Sequence, residues 1–144
     1  MPGIVLTTDL SKESKRAFPP VIELADKLDL DITLIAVLED LPFEPTAGSM
    51  MAVYPDRQQL RADWQKELVK VGGELGPRCK HTEVIDAADV PQAIVDYANS
   101  HDADYVAMAT HGRSGLRRLL LGSVAEVVVR HATMPVVLYP PKKD

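Results

Sequence analysis

Apolar residues along this chain follow two different rhythms, and the switches between them predict its elements. Ile4–Thr8 is a continuous β-branched apolar run that ends in Asp9-Leu10-Ser11, the pattern of a strand covered on both faces. Helical spacing follows from about Ser14 to Leu28, with Val21, Leu24, Ala25 and Leu28 on one face. Pro19-Pro20 interrupts that spacing, so the helix either begins near Pro19 or kinks sharply there. Asp31–Leu38 is a second buried-strand pattern, and Glu39–Pro55, with prolines, Gly48 and methionines, reads as a long mobile loop. Asp56–Val71 returns to helical spacing through Leu60, Trp64, Leu68 and Val71, core positions expected to end at Gly72-Gly73. His81–Ile85 is a third strand, and Val90–Ser100 a helix with proline in its first turn and Ile94, Val95 and Ala98 apolar. Tyr105–Ala109 is a fourth strand, Ser123–His131 a last helix and Pro135–Tyr139 a fifth strand.

This alternation predicts an α/β domain over residues 1–144, a five-stranded, mostly parallel open sheet with helices on both faces. Such doubly wound sheets bind ligands beyond the carboxyl ends of their strands, where strand order reverses. If the first and fourth strands are neighbours there, Thr8–Ser11 and Ala109–Ser123 face one crevice.

Composition narrows the function classes. The chain has 144 residues, 46% hydrophobic and 26% charged, the balance of a soluble globular protein rather than a disordered one. A net charge of −5 argues against a nucleic-acid or membrane-surface partner. Apolar runs such as Ile32–Leu38 are too short to span a bilayer, and Asp9 and Lys12 break any signal-peptide pattern at the start. Cys79 is the sole cysteine, and the four histidines show no metal-ligand spacing, so a reducing cytoplasm fits and no metal site is expected. Cys79 stands between Arg78 and Lys80, which leaves either a lowered thiol pKa or an inert strand-edge thiol. Asp86 and Asp89 read as a loop residue and a helix cap rather than a metal pair.

Against that acidic background, Met108–Glu126 stands out. It holds Gly112, Gly115 and Gly122, and Arg113, Arg117 and Arg118 give a local charge of +3 with no acid between His111 and Val124. It ends in Gly122-Ser123 at the start of an apolar helix pattern, where Ser123 suits the N-cap. Small residues let backbone N–H groups approach a ligand, and a helix start leaves such groups unpaired and partly positive. Together these are the components of a phosphate-binding loop.

THGRSGLRRLLLGSVAEVVVRHATMPVVL resembles the carboxyl-terminal signature of universal stress protein domains, and the likeness extends from IVLTTDLS to MPVVLYP. The family motif, Gly-x2-Gly-x9-Gly-Ser/Thr, is associated with members that bind ATP. Gly112, nine residues and Gly122-Ser123 match it, whereas Ala109 replaces the first glycine and Thr7 replaces a usual proline. The resemblance implies that Asp9 contacts ribose or the base edge, that Val37 lies against adenine, and that Met108 and Ala109 line the sugar side. It also implies that Gly112, Gly122, Ser123 and Val124 surround the phosphates, with His111 and Arg113 nearby and Thr7 in the wall. For Asp9 the competing reading is an Asp-x-Ser turn that ends the strand. With ordinary strand φ, the Ala109 methyl is expected only to narrow the pocket.

Three functions follow. The first is a regulatory or sensory protein that binds ATP, with AMP, ADP and magnesium as further possibilities, and acts on an unknown downstream protein. The second is a slow ATP hydrolase, although the chain has no Walker A motif, no acidic cluster near the loop and no assignable catalytic residue. The third is a dimeric interaction module that does not use nucleotide. Val136–Tyr139 is either an open sheet edge that pairs with a second copy, as the resemblance implies, or an edge blunted by Pro135 and Pro140-Pro141.

Overall fold

Strand order in space is β3 (Cys79–Ala87), β2 (Ile32–Glu39), β1 (Ile4–Thr7), β4 (Tyr105–Ala109) and β5 (Val136–Tyr139), and all four pairings are parallel. A computed structural model describes residues 3–40, 56–110 and 121–141. The helices are α1 (Phe18–Leu28), α2 (Arg57–Glu74), α3 (Val90–Ser100) and α4 (Ser123–His131). The expected doubly wound α/β fold is therefore present, and β1 and β4 are neighbours, with Ile4 opposite Tyr105 and Leu6 opposite Ala107. The chain steps outward from β1 to β2 and β3, then returns across β1 to place β4 and β5. The order reverses at the β1–β4 boundary.

Strand alternation divides the core into two layers. Ile4 and Leu6 of β1, with Ala107 and Ala109 of β4, pack under α1 and α2 against Val21, Ala25, Leu68 and Val71. Val5, Val106 and Met108 point the other way, towards Ile94 and Val95 of α3 and Ala125 and Val128 of α4. Both faces of the central strands are covered, which explains why they read as unbroken apolar runs.

Some local expectations hold, such as the helix start near Pro19 and the Asp89 cap, and others are corrected. A 3-10 turn, Glu13–Ala17, leads into α1, and Pro19-Pro20 falls in the first helical turn, where the missing N–H costs nothing. Leu28, expected on the apolar face of α1, is exposed. Helix α2 does not stop at Gly72-Gly73 but runs through them to Glu74. Gly72 is a contact residue: a Cβ there would lie 2.7 Å from Thr82 Cγ2 and 3.4 Å from Cys79 Sγ. The turn after the helix uses Gly76, at φ +80°. Strand β3 is longer than the pattern suggested, so Asp86 lies in the strand rather than a loop, paired with Arg57 and Arg61 of α2. Asp89 is the N-cap of α3, accepting from Gln92 N–H at 3.1 Å. Of Glu39–Pro55, only Glu39 and Asp40 fall within the described residues.

Candidate functional site

The carboxyl ends of β1 and β4 open on a cleft of about 170 Å³. Thr7, Val37 and Met108 line it from the strands, Val90 and Ile94 from α3, and Gly122, Ser123 and Val124 from the start of α4. It lies on the α3/α4 side of the sheet, because Val37 and Met108 belong to that core layer.

Each wall has a local cause. The β1 end is held by side-chain hydrogen bonds. Thr8 N–H continues the sheet by donating to Ile35 C=O at 2.9 Å, and the chain then turns through Leu10 at φ +65°. A left-handed leucine is costly, and three bonds hold the turn around it. Leu10 N–H donates to Thr8 Oγ1 at 3.1 Å, Ser11 N–H donates to Asp9 Oδ1 at 2.9 Å, and Ser14 N–H donates to Ser11 Oγ at 3.2 Å. The Asp-x-Ser turn therefore forms, and Asp9 still lines the cleft, so the two readings of this residue are compatible.

The β4 end is held by its main chain. Thr110 N–H donates to Tyr139 C=O at 3.1 Å, and Thr110 C=O accepts from Gly122 N–H at 2.7 Å. That second bond joins the end of β4 directly to the start of α4. Gly122, at φ −70° and ψ 164°, is the N-cap, so Ser123 occupies the first helical position rather than the cap expected from the sequence. Among the described residues no side chain caps this end. The first-turn amides of α4 thus face the cleft with the positive end of the helix dipole behind them. Glu126, the acid of that turn, is drawn to Arg130 at 2.7 Å.

Ala109 calls for a second correction. Its backbone borders the cleft, but its methyl belongs to the opposite core layer, and its φ is not positive. Alanine in place of glycine therefore adds its methyl to the α1-side core layer.

The cleft gathers Thr7, Asp9, Val37, Met108, Ala109, Gly122, Ser123 and Val124 of the expected set. His111, Gly112 and Arg113 lie outside the described residues, as do Gly115, Arg117 and Arg118. Sequence reasoning did not reach Ser14, and it gave no role to Thr110 although the Ala109–Ser123 stretch facing the crevice contains it. Thr110 continues the alternation of Val106 and Met108, which was the available signal: a polar residue on a buried strand face. Its Oγ1 and Arg16 Nη1 are the buried side-chain polar atoms without a partner among the described residues.

Elsewhere, burial pushes the Cys79 thiol up, which is the inert alternative for this residue. Among the described residues there is no group of three metal-ligating side chains, and no helix is long and apolar enough to cross a membrane.

A parallel sheet with a strand-end cleft at its reversal point and a helix start in the wall defines a doubly wound α/β protein with a candidate small-ligand site. The chain belongs to the universal stress protein family, whose model matches residues 2–140. It is 35% identical over 144 residues to universal stress protein MJ0531 of Methanocaldococcus jannaschii, covering 98% of this chain and 84% of that relative. Its fold is similar to that of the hypothetical protein MJ0577, with a TM-score of 0.74, 22% identity, and coverage of 100% and 99% of the two chains. It is also similar to the universal stress protein from Archaeoglobus fulgidus in complex with dAMP, with a TM-score of 0.66, 20% identity and coverage of 96% and 97%. A universal stress protein in complex with cAMP matches with a TM-score of 0.67, 18% identity and coverage of 96% of each chain.

Proposed function

We propose that this protein binds an adenine nucleotide, ATP foremost, in the cleft between β1 and β4, and acts as a regulatory or sensory protein. The observation that carries the reading is the uncapped start of α4, facing a cleft that also holds Asp9 and an apolar wall of Val37 and Met108. Backbone amides and a helix dipole favour phosphate, a carboxylate accepts from ribose hydroxyls, and apolar side chains suit a base. Two structural neighbours, described as complexes with dAMP and cAMP, support the adenylate class. Asp9, Val37 and Met108 would hold the nucleoside, and Gly122, Ser123 and Val124 the phosphates, with His111, Gly112 and Arg113 beside them. Ala109, with its methyl turned to the other layer, leaves the backbone approach open. ATP, with or without magnesium, would shift the populations of the neighbouring loops and so change the surface offered to a downstream protein in the cytoplasm. Equilibrium binding of ATP and AMP to the purified chain tests this, with saturation below millimolar concentration expected. Absence of binding at millimolar ATP with magnesium would overturn it.

A second reading, a homodimer formed through β5, is favoured by the contrast between the sheet edges. At β3, Gln65 of α2 covers the outer edge, accepting from Val84 N–H at 3.3 Å and reaching Thr82 Oγ1 at 3.4 Å. Among the described residues, no side-chain hydrogen bond blocks Val136–Tyr139 in that way. An open edge pairs readily with another strand. Sedimentation at micromolar concentration is expected to give a dimer, and a monomer would count against this reading.

A further inference from the structure

We propose that Thr110 donates its hydroxyl to the phosphate nearest the ribose, which makes it the residue that separates nucleotides from nucleosides. This rests on the adenylate reading above and assigns a contact outside the glycine motif. Thr110 is 4% exposed, lines the cleft, and has an Oγ1 without a hydrogen-bond partner among the described residues. An unpaired buried hydroxyl is costly, so such a group in a ligand cleft points to a missing partner.

The hydroxyl protons of the cleft can be followed one by one. Ser14 Oγ donates to Ser11 C=O at 2.8 Å, and a carbonyl can only accept. The 2.6 Å contact between Ser14 Oγ and Thr8 Oγ1 must then carry the Thr8 proton. Thr8 Oγ1 also accepts from Leu10 N–H, so the β1 threonine offers a ligand acceptor capacity only. Thr110 keeps its proton. A phosphate presents acceptors and needs donors, whereas a ribose hydroxyl can donate. The two strand ends therefore orient the ligand, with sugar hydroxyls towards Thr8 and Asp9 and phosphate towards Thr110.

Position within the cleft selects which phosphate. Met108, two residues earlier on the same strand face, stands on the nucleoside wall, and the Thr110 carbonyl holds Gly122 N–H at 2.7 Å. Thr110 thus lies between the nucleoside wall and the helix amides, where the first phosphate, common to AMP, ADP and ATP, would sit.

The test is calorimetric titration of the full chain, wild type and Thr110→Val and Thr110→Ser variants, with adenosine, AMP and ATP, together with melting of each free variant. Valine keeps the shape and removes the hydroxyl. The proposal expects Thr110→Val to weaken AMP and ATP by the same factor, about tenfold or more, with adenosine unchanged within about twofold. Thr110→Ser is expected to retain nucleotide affinity. Because the hydroxyl has no partner among the described residues, free Thr110→Val is expected to melt no lower than the wild type. Unchanged AMP affinity, an equal loss for adenosine, or a clearly lowered melting temperature would overturn the proposal while the adenylate reading stands. A wild type that binds neither adenosine nor AMP would overturn both.

Discussion

The ends of β1 and β4 lie side by side at the sheet's reversal point, yet they use their threonines in opposite ways. At β1 the hydroxyls of Thr8, Ser11 and Ser14 bond to one another and to the backbone, and hold a turn containing a left-handed leucine. At β4 main-chain bonds to Tyr139 and Gly122 hold the position, and the Thr110 hydroxyl has no partner among the described residues. One end uses its polar groups for rigidity, and the other leaves a donor for something that is not protein. The contrast separates side chains needed for the fold from side chains available to a ligand, and substitutions at the two ends should fail in different ways.

The largest effect is expected from Gly122→Asp. Aspartate is a favoured N-cap, so the variant should be as stable as the wild type or gain about 0.5–1 kcal/mol. Its carboxylate would stand where phosphate is expected, and like-charge contact should reduce AMP and ATP affinity at least a hundredfold, about 3 kcal/mol. A stable variant that still binds AMP normally would move the phosphate elsewhere. Ser14→Ala should show the reverse phenotype. It leaves Thr8 Oγ1 and Ser11 C=O short of partners in a buried setting, for a loss of about 1–3 kcal/mol in chemical denaturation. The ratio of AMP to adenosine affinity should stay within about twofold, because no phosphate contact is removed.

Ala109→Gly is a smaller and sharper test. With the methyl in the α1 layer, its removal should cost about 1 kcal/mol of stability through lost packing and added chain entropy. ATP affinity should not rise by more than about twofold, and a large rise would return the methyl to the cleft. The smallest effect belongs to the far end of the sheet, at Tyr97. Burial first, and then Glu83, push its phenol up to about 12 from the ordinary 10. The folded state then keeps a proton that the unfolded state loses, so this contribution is complete below pH 10 and disappears as pH rises from 10 to 12. Tyr97→Phe should flatten that part of the stability profile in pH-dependent unfolding and leave AMP binding unchanged.

Much of this molecule was legible in its residues, for identifiable reasons. Continuous apolar runs announced strands covered on both sides, and strict alternation of strand and helix implied parallel crossovers that bring β1 beside β4. Asp9, Val37, Met108 and Gly122 were placed in one crevice by that topology together with the resemblance. The missed features depend on packing distance and on proton positions. Gly72 looked like a helix terminator because a glycine needed for contact with Thr82 and Cys79 has the same composition signal as one needed for a turn. Ala109 was expected to narrow the pocket because a sequence does not say which sheet face a strand residue meets until the register is known. Thr110 fell within the stretch facing the crevice but was given no role, although its parity with Met108 already placed it on the cleft face.

The most direct measurement is a titration of isotope-labelled protein with AMP, followed residue by residue through backbone amide resonances. The account predicts shifts centred on Thr8, Asp9, Thr110 and the first turn of α4, with His81–Glu83 on the outer strand β3 unmoved. Shifts centred on that outer strand, or none at millimolar AMP, would contradict it.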